Sequence, residues 1–86
     1  MRPEEVILRI HMSEKANRLM EEENTLTLVV RREANKYMIK KAVEELYGVK
    51  VANVRVLITA KGEKRAYVRL KPEYSASELA TKLGLV

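Results

Sequence analysis

The stretch that decides the fold is residues 64–70, Lys-Arg-Ala-Tyr-Val-Arg-Leu. Side chains alternate between the two faces of a β-strand. The three apolar residues of this stretch therefore share one face, and Arg65, Tyr67 and Arg69 share the other. We predict a strand with one face against a hydrophobic core and one cationic face.

A second β-rich stretch, residues 51–58, comes just before it, and the connection between the two contains Gly62. Two β-rich stretches joined by a short loop with a glycine predict a hairpin. Five cations belong to this hairpin, namely Arg55, Lys61, Lys64, Arg65 and Arg69. Solubility alone is a weak explanation for so dense a positive charge.

The rest of the chain predicts two more strands and three helices. A mostly apolar run predicts a first strand over residues 6–10, and the alternating residues 25–30 predict a half-buried second strand. The caps Ser13 and Ser75 begin two helices, which run to Asn24 and to Leu83. Periodicity predicts a third helix from Asn35 to Tyr47, with Gly48 as its stop. Ser75 and Glu78 have the spacing of a capping box, flanked by Tyr74 and Leu79 as a hydrophobic staple.

The helix that begins at Asn35 has the clearest periodicity. Its apolar residues recur at intervals of three and four and are predicted to face the core: Ile39, Ala42, Val43 and Leu46. Lys36 and Lys40 lie four apart on another ridge of the same helix. Arg31 and Arg32 come just before it, so we expect the four cations to be able to converge on one run of phosphates.

These elements predict an α+β fold with the order strand, helix, strand, helix, strand, strand, helix. The chain of 86 residues has room for one domain, residues 1–86. If the fourth strand inserts between the second and third, it is antiparallel to both. We expect a mostly antiparallel sheet of three to four strands packed with three helices.

Charge is distributed unevenly along the chain. The net charge is +5, and residues 31–71 alone carry twelve basic and four acidic residues. Such an excess in one part of the chain is typical of proteins that neutralise phosphates. The chain has no cysteine, no apolar run long enough for a membrane span and no secretory pattern at its N-terminus, so we expect an intracellular, cytoplasmic protein.

The sequence offers little for catalysis or for metal binding. His11 is the only histidine, and there is no cysteine and no aspartate to accompany it. The serines are explained as helix caps or their neighbours, and no glycine-rich loop is present. We therefore expect neither an enzyme nor a protein with a metal or cofactor.

The candidate RNA-binding residues are Arg31, Arg32, Lys36, Lys40, Arg55, Lys61, Lys64, Arg65, Tyr67 and Arg69. With one aromatic side chain on the cationic strand face, recognition of the RNA backbone and shape is favoured over reading of single-stranded bases. Two alternatives stay open: Tyr67 as a side chain that covers sheet surface, and Lys40 as half of an ordinary exposed pair with Glu44.

Four segments resemble the universal large-subunit ribosomal protein L23 family, in its archaeal type. They are the Ser-Glu-Lys-Ala of residues 13–16, the Ala-Asn-Lys of residues 34–36, residues 39–51, and the basic hairpin arm of residues 64–71 followed by Leu79. The segments occur in the family's order and at its separations over nearly the whole chain. The hairpin tip at residues 60–63 is much shorter than in bacterial members, and Ile10 stands where many members have proline.

This resemblance implies a structural constituent of the large ribosomal subunit, bound to ribosomal RNA near the polypeptide exit tunnel beside ribosomal protein L29. It also implies a docking platform for the signal recognition particle or other nascent-chain factors, with Glu14 as the docking glutamate by the motif match. The alternative from the residues alone is a small protein-interaction module that uses the surface of Glu14 and residues 21–23.

Overall fold

The computed structural model describes residues 1–85. The strands are β1 (Ile7–Ile10), β2 (Thr25–Val30), β3 (Val51–Ile58) and β4 (Lys64–Leu70). The helices are α1 (Pro3–Val6), α2 (Glu14–Glu23), α3 (Lys36–Tyr47) and α4 (Ala76–Lys82). One four-stranded sheet has the strand order β1-β2-β4-β3, and every neighbouring pair is antiparallel. The expected α+β fold, with β4 inserted between β2 and β3, is confirmed.

The pairing of β4 fixes which residues share a face of the sheet. Val68 lies opposite Leu26 on one side and Val54 on the other, and all three are buried. Tyr67 and Arg69, which flank Val68 along β4, project from the opposite face, where they are partly or fully exposed. The sheet therefore has a core face and an open face, as the alternation of residues 64–70 predicts.

The prediction for β2 is wrong in one respect. All six of its residues are buried, whereas alternation predicts only one buried face. β2 is an inner strand, and its first half is covered on the open side by α2, whose Ala16 and Leu19 lie beside Thr27. A polar residue at alternate positions thus indicates the open face of the sheet here but not exposure to solvent.

Helix α1 is a single turn that the sequence analysis did not predict. Val6 ends this turn and is 2% exposed, so β1 begins one residue later than expected. Pro3 is suited to the first helical position, and the two glutamates that follow favour the positive end of the helix. The turn packs against α3 and closes one side of the core.

Helix α3 lies across the core face. Its Asn35 side chain accepts a hydrogen bond from the Met38 N–H, and Gly48 ends the helix in the left-handed conformation. Leu46 was expected to be buried but is 41% exposed. At this end of the helix the core is covered instead by Tyr47 and by Val49 in the following turn.

A bulge interrupts the start of β3, between Val51 and Asn53. The extra residue keeps Val51 in the core and turns Asn53 to the open face, opposite Arg69. β3 is also an edge strand, and near its end Leu57 and Ile58 are about half exposed. The bulge therefore decides which side chains the edge of the sheet presents.

The last helix is held by Ser75 and by Asn24. The Ser75 hydroxyl accepts a hydrogen bond from the Glu78 N–H, and Tyr74 and Leu79 both pack against the core, as the capping box and staple predict. Asn24 adopts a left-handed backbone conformation with φ of 54°. Its amide donates to the Tyr74 carbonyl over 2.8 Å and accepts from the Ala76 N–H over 2.7 Å.

We expect Asn24→Ala to lower the free energy of unfolding by about 2–3 kcal/mol, because it removes these bonds and leaves an alanine in a left-handed conformation. Asn24→Gly is the matched control, since glycine adopts that conformation freely and should recover about 1 kcal/mol of the loss. Unfolding in urea measures the free energy of unfolding of both variants. A loss below about 0.5 kcal/mol for the alanine variant would show that Asn24 does not hold α4.

Candidate nucleic-acid interface

The open face of the sheet carries a polar band across β3 and β4. Arg55 lies opposite Tyr67, and its guanidinium carbon is 5.6 Å from the centre of the tyrosine ring. At this distance the cation is attracted to the ring face. Asn53 and Arg69 form the neighbouring pair. The strand pairing thus brings two arginines from different parts of the sequence onto one surface.

These side chains surround a polar hollow of about 270 Å³. Its lining residues are Glu23, Thr25, Asn53, Arg55, Tyr67 and Arg69. The carboxylate of Glu23 offsets one of the two positive charges. Because Tyr67 lies between Arg55 and residues of α2, its ring is half-buried, which fits the alternative of a tyrosine that covers sheet surface as well as it fits a stacking role.

A second hollow adjoins the first at the outer edge of β3. It is lined by Lys36, Tyr37 and Lys40 of α3 and by residues 51–54. Asn53 lines both hollows, so the two lysines and the two arginines lie around the same stretch of edge strand. We call this set the β3-edge surface: Lys36, Lys40, Asn53, Arg55, Tyr67 and Arg69.

The alternative pairing of Lys40 with Glu44 is absent from the described part of the chain. The Glu44 carboxylate instead accepts a hydrogen bond from the Val51 N–H over 2.9 Å, which anchors the start of β3. Residues 1–85 contain ion pairs Arg2–Glu4, Arg9–Glu63, Arg18–Glu14 and Arg65–Glu63. All cations of the β3-edge surface therefore lie outside the ion pairs of this region.

The other predicted cations lie around the hairpin end of the sheet. Arg31, Arg32 and Lys64 line a hollow together with β1 and the tip, and Lys61 is exposed on the tip itself. This hollow is distinct from the one that holds Lys36 and Lys40. The arginines and the two lysines therefore line different hollows, and their convergence on one run of phosphates stays a prediction.

Two of these cations are engaged within the protein. The Lys64 ammonium donates to the carbonyl of Ala34 over 2.6 Å and to that of Arg32 over 3.1 Å. The Arg31 Nε donates to the Glu5 carbonyl over 2.6 Å. These bonds hold the loop before α3 against the hairpin and against α1. A charge count along the sequence does not reveal them.

Arg65 lies between the two groups of cations. Glu63 links it to β1, with one carboxylate oxygen 3.6 Å from Arg65 and the other 2.8 Å from Arg9. Nearby, burial lowers the pKa of His11 below its usual 6.5, and the charges of Arg65 and Arg9 lower it further, against an opposing effect of Glu63. The imidazole of His11 therefore lies in a locally positive environment.

Glu14 is the first residue of α2, and its side chain is 95% exposed. Arg18, one turn later, is 4.0 Å away, at the limit of an ion pair. The three acidic residues 21–23 at the other end of α2 are also exposed. Both parts of the predicted docking surface are therefore open to a partner.

The sequence analysis missed Asn53 of the β3-edge surface and Arg9 of the hollow at the hairpin end. The bulge in β3 conceals Asn53, because strict alternation from the buried Val51 gives it the same face as the core. Alternation counted back from Arg55 places it correctly. Arg9 is linked to Glu63, 54 residues away, and no local pattern signals that contact.

Two other kinds of feature are absent from residues 1–85. No group of three or more His, Cys, Asp or Glu side chains in this region is arranged to hold a metal ion. None of the helices in the same region has the length and apolar character needed to cross a membrane.

The fold and this surface define a class, that of small α+β proteins whose sheet buries one face and presents cations on the other. Comparison with known proteins identifies the family. The family model described as ribosomal protein L23 matches residues 5–78. The large ribosomal subunit protein uL23 of Caldivirga maquilingensis is 56% identical over 86 residues, which are the whole of both chains. The chain therefore belongs to the ribosomal protein L23 family.

Because the Lys64 ammonium bonds two carbonyls, we expect Lys64→Met to lower the free energy of unfolding by about 1–2 kcal/mol. Lys61→Met, which removes the same charge from the exposed tip, should change it by less than about 0.5 kcal/mol. Chemical unfolding of both variants measures the difference. Equal stability of the two would show that the bonds of Lys64 contribute nothing.

Proposed function

We propose that this protein is a structural constituent of the large ribosomal subunit and that residues 1–86 form one domain that binds large-subunit ribosomal RNA. The observation that carries the proposal is the β3-edge surface, where four cations from α3, β3 and β4 are gathered without ion-pair partners. Membership of the L23 family and the identity to a large-subunit protein support it. In this role the protein is a scaffold of the ribosome in the cytoplasm, and not an enzyme.

The chemistry of the β3-edge surface suits an RNA backbone. The Arg55 guanidinium lies over the Tyr67 ring, 5.6 Å from its centre, and its N–H groups can donate to phosphate oxygens. Lys36 and Lys40 supply point charges on the other side of Asn53, whose amide can donate to a phosphate or accept from a ribose hydroxyl. The surface can therefore hold consecutive backbone groups without reading bases.

The remaining candidates have unequal roles in this proposal. Arg32 and Lys61 are exposed and free to form a second contact at the hairpin end. Lys64 and Arg31 are engaged in the internal bonds described above, so their contribution to RNA binding is secondary. Arg65 contacts RNA from a partly buried position, as argued below.

The location and the neighbouring partners are part of the proposal, and they rest on the resemblance to the L23 family. We propose a position near the polypeptide exit tunnel, beside ribosomal protein L29, with the signal recognition particle or another nascent-chain factor docking at Glu14. The support from the structure is that Glu14 is nearly fully exposed and lies at the end of a helix, away from the β3-edge surface. RNA on the β3-edge surface therefore leaves Glu14 accessible to a docking factor.

We expect Arg55→Gln/Arg69→Gln to weaken binding to large-subunit ribosomal RNA by at least about tenfold, because two phosphate contacts are lost. The slope of log affinity against log salt should become shallower by about 1.4 to 1.8. Filter binding at several KCl concentrations measures both quantities. Lys41→Gln/Lys82→Gln removes the same charge from exposed positions elsewhere and is the matched control.

Equal affinities of the two double variants would contradict the proposed interface, provided that unfolding experiments show both variants to be folded.

The rival interpretation, a protein-interaction module using Glu14 and residues 21–23, makes a different prediction. It requires the protein to retain its partners after nuclease treatment of a cell extract. Residence in the ribosome requires it to sediment with the large subunit before that treatment and to be released by it.

For docking, we expect Glu14→Gln to reduce the binding of the signal recognition particle to ribosomes several-fold, because an exposed charge that pairs across an interface is lost. Incorporation of the protein into the large subunit should be unchanged. Glu21→Gln, on the same helix, is the control. Co-sedimentation of the particle with purified ribosomes measures this binding. Equal binding to ribosomes with either variant would show that Glu14 is not part of the docking site.

A further inference from the structure

A small cleft separates the first turn of α2 from the open face of the sheet, beyond the β3-edge surface. Its polar lining comes from four elements of the chain and consists of His11, Ser13, Lys15, Thr27, Arg65 and Tyr67. Its volume is about 20 Å³. Because about 10–15 Å³ is enough for a water molecule on this measure, the cleft has room for one oxygen-sized group but not for a whole anion.

Two polar groups in the walls of this cleft lack partners within the protein. The Thr27 side chain is almost completely buried, at 3% exposure, yet its hydroxyl has no hydrogen-bond partner. The Nε–H of Arg65 is buried and unpaired as well. Leaving such a group unpaired costs about 1–3 kcal/mol. Both groups can donate a hydrogen bond to an oxygen atom.

The strand pairing brings these two groups together. Thr27 lies opposite Tyr67 on β4, and Val29 lies opposite Arg65, so Thr27 and Arg65 are diagonal neighbours on the open face. Diagonal neighbours are within reach of a long side chain. An oxygen placed between the two donors would accept from both.

The electrostatics of the cleft favour a negative charge. Helix α2 begins here. The Ser13 hydroxyl accepts from the Ala16 N–H, and the N–H groups of residues 14 and 15 are left at the positive end of the helix. The ammonium group of Lys15 is exposed at the mouth. The one carboxylate near Arg65, that of Glu63, is already paired with Arg9 at 2.8 Å.

We propose that this cleft binds one phosphate group of the RNA backbone. One phosphate oxygen enters the cleft and accepts hydrogen bonds from the Thr27 hydroxyl and the Arg65 Nε–H, while Lys15 neutralises the oxygens that stay outside. This inference rests on the proposed function and extends it. RNA is then held along the open face from the edge of β3 to the start of α2.

The pKa of His11 depends on whether a phosphate occupies the cleft. The charged groups that face it are Arg9, Arg65, Lys15 and Glu63, and together the arginines lower its pKa. A bound phosphate adds negative charge, so it raises the pKa of His11. Phosphate binding is then accompanied by proton uptake, and its affinity increases as the pH falls through the range between the free and bound pKa values.

The first test compares Lys15→Gln with Arg18→Gln, which removes one charge from the same helix outside the cleft. We expect Lys15→Gln to weaken binding to large-subunit ribosomal RNA about fivefold or more and to make the salt slope shallower by about 0.7 to 0.9. Arg18→Gln should bind RNA as the wild type does.

Thr27→Val should weaken RNA binding while leaving the protein at least as stable, because the variant loses an unpaired buried hydroxyl.

The second test uses inorganic phosphate alone. The pKa of His11 is measured by NMR in phosphate and in chloride at equal ionic strength. We expect phosphate to raise it in the wild-type protein and to leave it unchanged in Lys15→Gln/Thr27→Val. No rise in the wild type, or the same rise in the double variant, overturns the proposal.

The outcomes separate this inference from the proposed function. If Lys15→Gln and Thr27→Val bind RNA like the wild type while Arg55→Gln/Arg69→Gln does not, the cleft holds only water and the β3-edge surface stands. If phosphate shifts His11 but the wild-type protein does not bind ribosomal RNA, the anion site stands and the proposed function fails.

Discussion

The backbone pairing of β4 with both β2 and β3 is the constraint on which the rest of the structure depends. It buries Ala66 and Val68 under α3 and, by the same alternation, holds Tyr67 and Arg69 on the opposite face. One ladder of hydrogen bonds therefore positions the core and the cations together. A slip of one residue would exchange the two faces, so the buried apolar side chains also fix the geometry of the charged surface.

Much of the fold could be predicted because its signals are local. Alternation in β4, the periodicity of α3 and the capping residues Ser13 and Ser75 act within a few residues, and the structure follows them. The failures come from long-range packing. Burial of both faces of β2 depends on α2 lying over it, and the exposure of Leu46 depends on where the core ends.

The sequence predicts which basic residues form the charged surface, but not which of them are engaged in bonds within the protein. Counting basic residues found the side chains that now surround β3, but it could not show that Lys64 is committed to the carbonyls before α3. Thr27 is the reverse case, a strand residue without any sequence signal whose unpaired hydroxyl marks the cleft at α2. Local rules therefore predict how the chain folds, whereas the unpaired Thr27 hydroxyl becomes visible only in the folded structure.

The open edge of β3 has a consequence for the protein before it reaches its partner. The outer side of this strand has backbone groups that no other strand within residues 1–85 pairs with, and Leu57 and Ile58 are half exposed near its end. Such an edge is a template on which another chain can extend the sheet. Free copies of the chain are therefore open to pairing along this edge, and the like charges of Arg55, Lys36 and Lys40 beside it oppose that pairing.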